Sequence, residues 1–170
     1  FFGMSGYDVH VRGLVNALSK VTDVRVSTQM VPNWEKLVSD KELELLKKQP
    51  VKDEITLIVT NPLNWKINLT NGRNWVFLVW EGDKIPKCFI EECLDPRIEY
   101  IFVPSIHTAQ ALRKTEGCND ATIQKIMLIP HGVDLEKFYP KEKPKKFTFL
   151  VNKGFRSLED RGGTQYALKA

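Results

Sequence analysis

The chain is 170 residues long, 42% hydrophobic and 27% charged, near the globular average, which excludes a disordered, collagen-like or low-complexity protein. Its 25 Lys and Arg against 21 Asp and Glu give a formal net charge of +4, too mild to argue for a nucleic-acid surface. Apolar runs such as Trp75–Trp80 and Ile126–Ile129 fall far short of the roughly 20 residues that span a bilayer.

In chain order, Phe1-Phe2 lead directly into Gly3-Met4-Ser5-Gly6, a pattern that reads as the turn after a strand. Tyr7, Val11, Leu14, Val15 and Leu18 then fall on one face of a helix that Ser5 and Asp8 cap. Val24–Thr28 alternates and predicts a partly buried strand, and Glu35–Lys48, rich in alternating charge, predicts a surface helix. Ile55–Thr60, Trp75–Trp80, Tyr100–Val103, Ile126–Ile129 and Phe147–Val151 are continuous runs of Ile, Val, Phe and Trp, as in strands buried on both faces. Pro86 opens a helix over Lys87–Leu94 that Asp95-Pro96 ends, and Ser105 caps another with Ile106, Ala109 and Leu112 inward. Lys141–Lys146 reads as a solvated linker, and a last helix starts near Asp160.

Strands alternating with helices predict an α/β protein, a Rossmann-like doubly wound parallel sheet with helices on both faces. In that class ligands bind beyond the carboxyl ends of the strands. The candidate segments are therefore Gly3–Gly6, Glu81–Lys84, Pro104–His107, His131–Asp134 and Lys153–Gly163. The first strand of such a sheet is commonly central, and only Phe1-Phe2 stand in its place, so residues upstream of Phe1 are expected in the natural protein.

Each candidate has a chemical reading and a plain one. Gly3, Ser5 and Gly6 offer backbone N–H groups and a hydroxyl at a helix start, either for an anion or only for a tight turn. Arg156 and Arg161 flank a glycine-bearing loop and either clamp a diphosphate or pair with Glu159 and Asp160. Glu81, at a strand's carboxyl end, suits hydrogen bonding to a sugar hydroxyl or proton transfer, or else only caps its loop. His10, His107 and His131 are cleft groups or structural hydrogen bonders. Cys88, Cys93 and Cys118 form no C-x-x-C pair and read as reduced, partly buried thiols. The sequon Asn68-Leu69-Thr70 matters only in a secreted protein, and no other feature argues secretion. No zinc motif, Ser-His-Asp order or phosphate-binding G-x-x-x-x-G-K-S/T is present.

Ile129-Pro130-His131-Gly132-Val133-Asp134-Leu135-Glu136-Lys137-Phe138-Tyr139-Pro140 resembles the I-P-(H or N)-G-V-D-x-x-x-F-x-P signature of retaining, group 1 nucleotide-sugar glycosyltransferases with the two-domain GT-B fold. Gly3–Gly6 with its helix resembles that family's acceptor-domain glycine loop, and Trp80-Glu81, Lys84-Ile85-Pro86 and Phe102-Val103-Pro104-Ser105 resemble one branch of it. Phe147–Val151 followed by Arg156–Gly163 resembles the opening of the donor domain, although Phe155 separates Gly154 from Arg156 and Arg161 replaces the usual Lys.

The resemblance implies an acceptor-side domain over 1–140, a linker over 141–146 and the beginning of a donor domain over 147–170, a fragment of a two-domain enzyme that is inactive alone. The parent would move a sugar from a nucleoside diphosphate sugar to a hydroxyl of a carbohydrate, lipid or other acceptor, with retention. Arg156, Arg161, Gly3, Ser5 and Gly6 would serve the donor diphosphate; His10, Glu81, His107 and His131 would line the acceptor side, with Glu81 as the catalytic candidate. No metal or other cofactor and no nucleic acid is implied. The donor domain of the same chain would be a partner, and the location cytoplasmic, with peripheral membrane association left open. The competing reading is a non-catalytic nucleotide- or partner-binding α/β module.

Overall fold

The computed structural model describes residues 6–28, 38–49, 51, 54–143 and 145–147. It contains, in order, α1 (Gly6–Leu18), α2 (Asp40–Lys47), β1 (Ile55–Ile58), two 3-10 turns (Pro62–Asn64 and Lys66–Asn68), β2 (Arg73–Phe77), α3 (Lys87–Cys93), β3 (Ile98–Val103), α4 (Ile106–Lys114), α5 (Asp120–Gln124) and β4 (Ile126–Leu128). The protein has an α/β fold: the four strands form one sheet in the order β1-β2-β3-β4, with every neighbouring pair parallel. The chain divides into two compact units, Phe1–Asp134 and Leu135–Ala170, and the sheet lies in the first. In the second, residues 135–143 and 145–147 are irregular and exposed, with the Lys141 ammonium 5.4 Å from the centre of the Tyr139 ring.

The strand order runs without reversal. Right-handed crossovers that advance in one direction all fall on one face of the sheet, and the core reflects it. Val76 and Leu78 from β2 and its extension, Ile101 and Val103 from β3 and Ile58 from β1 pack with Trp65, Ile90, Cys93 and Leu112 from the crossovers. The order reversal of a doubly wound sheet does not occur among these four strands, although α1 lies on the opposite face, where His10 meets the Phe77 ring.

Burial on both faces holds for the central strands only. Val76, Phe77, Ile101 and Phe102 are all buried, whereas Ile55 of β1 and Met127 and Leu128 of β4 are 46%, 45% and 49% exposed because those strands are edges. Residues 24–28 are not a strand, contrary to their alternation; the Val26 amide donates to the Leu45 carbonyl at 3.2 Å, so a helix end takes the place of a ladder partner. The helix expected over Glu35–Lys48 begins at Asp40, where Ser39 and Glu42 form a reciprocal capping box. It is not purely a surface helix: Leu45 and Glu42 are buried, and the Glu42 carboxylate accepts from Asn16 of α1 at 2.9 Å. The strand expected over Phe147–Val151 and the helix from Asp160 fall outside the described residues, apart from Phe147, which is exposed. No described helix is long and apolar enough to cross a membrane.

A bulge between β2 and β3 organises the far face. Asn74 pairs with Ile98 but Trp75 pairs with Tyr100, so β3 carries one extra residue there. Glu99 and Tyr100 consequently both reach Trp75, one by hydrogen bond and one by edge-on ring contact at 5.7 Å. Glu99 accepts from Arg73 Nε at 2.8 Å and Nη2 at 2.7 Å and from the Trp75 indole at 3.0 Å, bonds that hold its carboxyl down at about 2. A depressed carboxyl contributes stability above its ordinary value of 4.5 and loses it as pH falls toward about 2. Carboxyl carbon NMR should therefore give Glu99 a midpoint near 2, and Glu99→Gln should remove an acid-sensitive component of the urea midpoint across that window. A Glu99 midpoint at 4.5 would show that the three bonds do not hold in solution.

Candidate functional site

The carboxyl ends of the strands bring together parts of the chain that are far apart in sequence. The helix α1 begins at Gly6, with Asp8 in its first turn where the dipole favours an anion. The same helix carries the partly buried His10 against Phe77, the last residue of β2. The two rings are 4.7 Å apart and tilted by 55°. His131, three residues after Leu128 ends β4, stacks on the same Phe77 ring at 5.7 Å and 26°. The Nδ1 atoms of His10 and His131 are 2.9 Å apart, a hydrogen bond spanning 121 residues of sequence. Burial, and then the neighbouring His131, push the His10 imidazole below its ordinary value of 6.5.

A second group forms where the segment after β2 meets the start of α4. Ser105 caps α4 by accepting from the Thr108 amide at 3.1 Å. This leaves the buried Thr108 hydroxyl to donate to the Trp80 carbonyl at 3.2 Å, while His107 Nε2 lies 3.2 Å from the Glu81 carbonyl. The Trp80 indole closes the loop by donating to the Lys84 carbonyl at 2.7 Å, and the Ile85 amide donates to the buried Thr115 hydroxyl at 2.8 Å. Gly82 belongs to this closure: a Cβ there would stand 3.0 Å from Trp80 Nε1, so the indole would have to give way by a few tenths of an ångström. The backbone around Glu81 is thus held on both sides.

Tyr7 links the two groups. Its phenol is raised above 10.0, first by burial and then by the Glu81 carboxylate, so its hydroxyl shares an environment with that charge. Of the sequence-predicted residues, then, His10 and His131 are joined directly, and His107 is joined to the Glu81 backbone. Gly6 is the first residue of α1, and nothing lies within 4 Å of where its Cβ would stand. Gly3, Ser5, Arg156 and Arg161 lie outside the described residues. Phe77, Thr108 and Tyr7 were not legible as site residues: two read as ordinary strand and helix positions, and Tyr7 as part of an inward stripe, though it is 40% exposed.

Chemically the strand ends offer two imidazoles over the Phe77 ring and a phenol that feels a carboxylate, groups that can hydrogen-bond hydroxyls and exchange protons. Among the described residues no three His, Cys, Asp or Glu converge as a metal site. Cys93 lies in the core with its thiol pushed up to about 12 by burial, which removes it as a nucleophile. A shallow hollow of about 180 Å³ lined by Ile106, Ala109, Gln110, Arg113, Ile126 and Leu128 shares no residue with the histidine group. No protein-family model matches the chain, and no curated protein and no solved structure matches it either, so its own residues carry the functional reading.

Proposed function

We propose that the chain is the acceptor side and the opening of the donor side of a retaining GT-B glycosyltransferase. In this reading a sugar passes from a nucleoside diphosphate sugar to an acceptor hydroxyl. The observation that carries the reading is the position of His131. The residue that begins the His131-Gly132-Val133-Asp134 core of the signature-like segment is hydrogen-bonded to His10 and stacked on Phe77, at the end of the strands where an α/β sheet binds ligands. In this role the basic side chains of Arg156 and Arg161 neutralise the leaving diphosphate, with no metal required. Glu81 orients the acceptor hydroxyl and accepts its proton.

Turnover of isotope-labelled UDP-, GDP- and ADP-sugars by the full-length protein tests the reading directly. Transfer or slow hydrolysis of one of them is the expected result, and nucleotide binding with no turnover of any sugar would favour a binding module instead. Arg161→Ala in the same protein should weaken donor affinity by about 1.5–3 kcal/mol, the scale of a lost charge-assisted hydrogen bond. Isothermal titration with the nucleoside diphosphate reads this, and unchanged affinity would make Arg161 an ordinary loop residue.

A further inference from the structure

We propose that His10 and His131 form a latch that closes only when both imidazoles are neutral, tying the segment after β4 to α1 and releasing it in mild acid. The argument starts from the ring nitrogens. A hydrogen bond between two Nδ1 atoms at 2.9 Å needs one to carry the proton and the other a bare lone pair. His10 Nε2 is buried and has no hydrogen-bond partner among the described residues. A buried N–H without an acceptor is far costlier than a buried lone pair of weak basicity, so the proton of neutral His10 belongs on Nδ1. His10 is therefore the donor, and the exposed His131 accepts on Nδ1 and turns Nε2–H to solvent.

This arrangement has no inexpensive place for an additional proton. On His10 it would occupy the buried Nε2, and on His131 it would occupy Nδ1, destroy the acceptor and set two N–H groups against each other. Burial and then the neighbouring His131 are what act on the His10 charge, and both disfavour it. Of the other titratable groups on the surrounding elements, Tyr7 of α1 feels the Glu81 carboxylate and Arg12 of α1 acts on Glu42 of α2. Asp8 and Asp134 are the carboxylates nearest along the chain. Phe77, and Phe102 behind it at 6.5 Å, wall the pair with uncharged rings.

The linkage follows from the direction of the His10 shift. A folded-state imidazole held below 6.5 stabilises the closed form fully above that value, and the contribution is lost as pH falls below it toward the depressed value. The latched residue stands three positions before Asp134, the last residue of the first compact unit. This inference stands on the imidazole geometry and does not depend on sugar transfer.

Nitrogen-15 NMR of the full chain tests it. At about pH 8 the expected result is a coupling across the Nδ1–H···Nδ1 bond with the proton on His10, and backbone order parameters for Gly132–Asp134 near the rigid value of about 0.85. At about pH 5 the coupling should vanish and the order parameters fall below about 0.6. In His131→Asn, whose amide oxygen takes up no proton and so cannot set a second N–H against His10, the order parameters should fall less between the two pH values than in the natural protein. A proton on His10 Nε2 at pH 8, unchanged order parameters in the natural protein, or an equal fall in His131→Asn would each overturn the proposal.

Discussion

Replacing Trp65 with alanine is expected to destabilise the protein by about 3–5 kcal/mol, the usual range for truncating a buried tryptophan. Trp65 is fully buried and joins the two 3-10 turns of the β1–β2 crossover. Its ring belongs to the core formed by Ile58, Val76, Leu78, Ile90 and Leu112, and its indole donates to the Thr60 carbonyl at 3.2 Å. Truncation opens a cavity on the crossover face and orphans that carbonyl at once. Domains of this size are stable by about 5–15 kcal/mol, so the loss is a large share of the total. Urea unfolding of the natural protein, Trp65→Ala and Trp65→Phe distinguishes the two contributions. Phenylalanine fills most of the volume but cannot donate, and should fall between the other two. A loss below about 1 kcal/mol for alanine would mean that the crossover does not pack as described.

The second large effect concerns Glu81. Under the proposed sugar transfer, Glu81→Gln is expected to lower the transfer rate about 10²–10⁴-fold, the range that a positioned acid or base supplies. Glutamine keeps the shape and the backbone, and the backbone is what the fold holds, through His107 on the Glu81 carbonyl and Thr108 on the Trp80 carbonyl. Donor affinity should stay unchanged while kcat falls. The phenol of Tyr7 provides an independent readout: removing the carboxylate should lower its pKa toward the ordinary value of 10.0 without reaching it, because burial is the larger cause of the rise. A lowered Tyr7 with an unaltered transfer rate would place Glu81 beside the site without a part in the chemistry.

How far the residues foretold the molecule depended on the kind of signal. Continuous Ile-, Val- and Phe-rich runs identified all four strands, since burial on two faces leaves no room for polar alternation. Their beginnings were read late for β2 and β3, whose first residues include Arg73, Asn74 and Glu99. Asn74 is fully buried because its amide bonds the Thr70, Gly72 and Arg97 carbonyls, and Glu99 is held by Arg73 and Trp75. Both partners of Glu99 and one of the three acceptors of Asn74 lie more than twenty positions away, and polar residues buried by such bonds interrupt the apolar run that marks a strand. The same limit explains α5, five residues long and capped by Asn119, and the false strand at Val24–Thr28, whose pattern was right but whose partner is a helix end.

The site divided in the same way. Strand ends and a recurring spacing brought out His10, Glu81, His107 and His131 one by one, because each stands at the start of a helix or just past a strand. Which of them meet was not readable. By itself the sequence determined the alternation of strand and helix and the parallel sheet, since hydrophobic runs and crossover lengths leave little choice of fold class. Only the tertiary structure decided that the described strands run in order without reversal, that a bulge turns Glu99 and Tyr100 toward Trp75, and that two histidines 121 residues apart meet within hydrogen-bond distance over Phe77. Those outcomes depend on the register between strands and the angle at which α1 crosses them, quantities set by the packing of the whole domain and by no stretch of it alone.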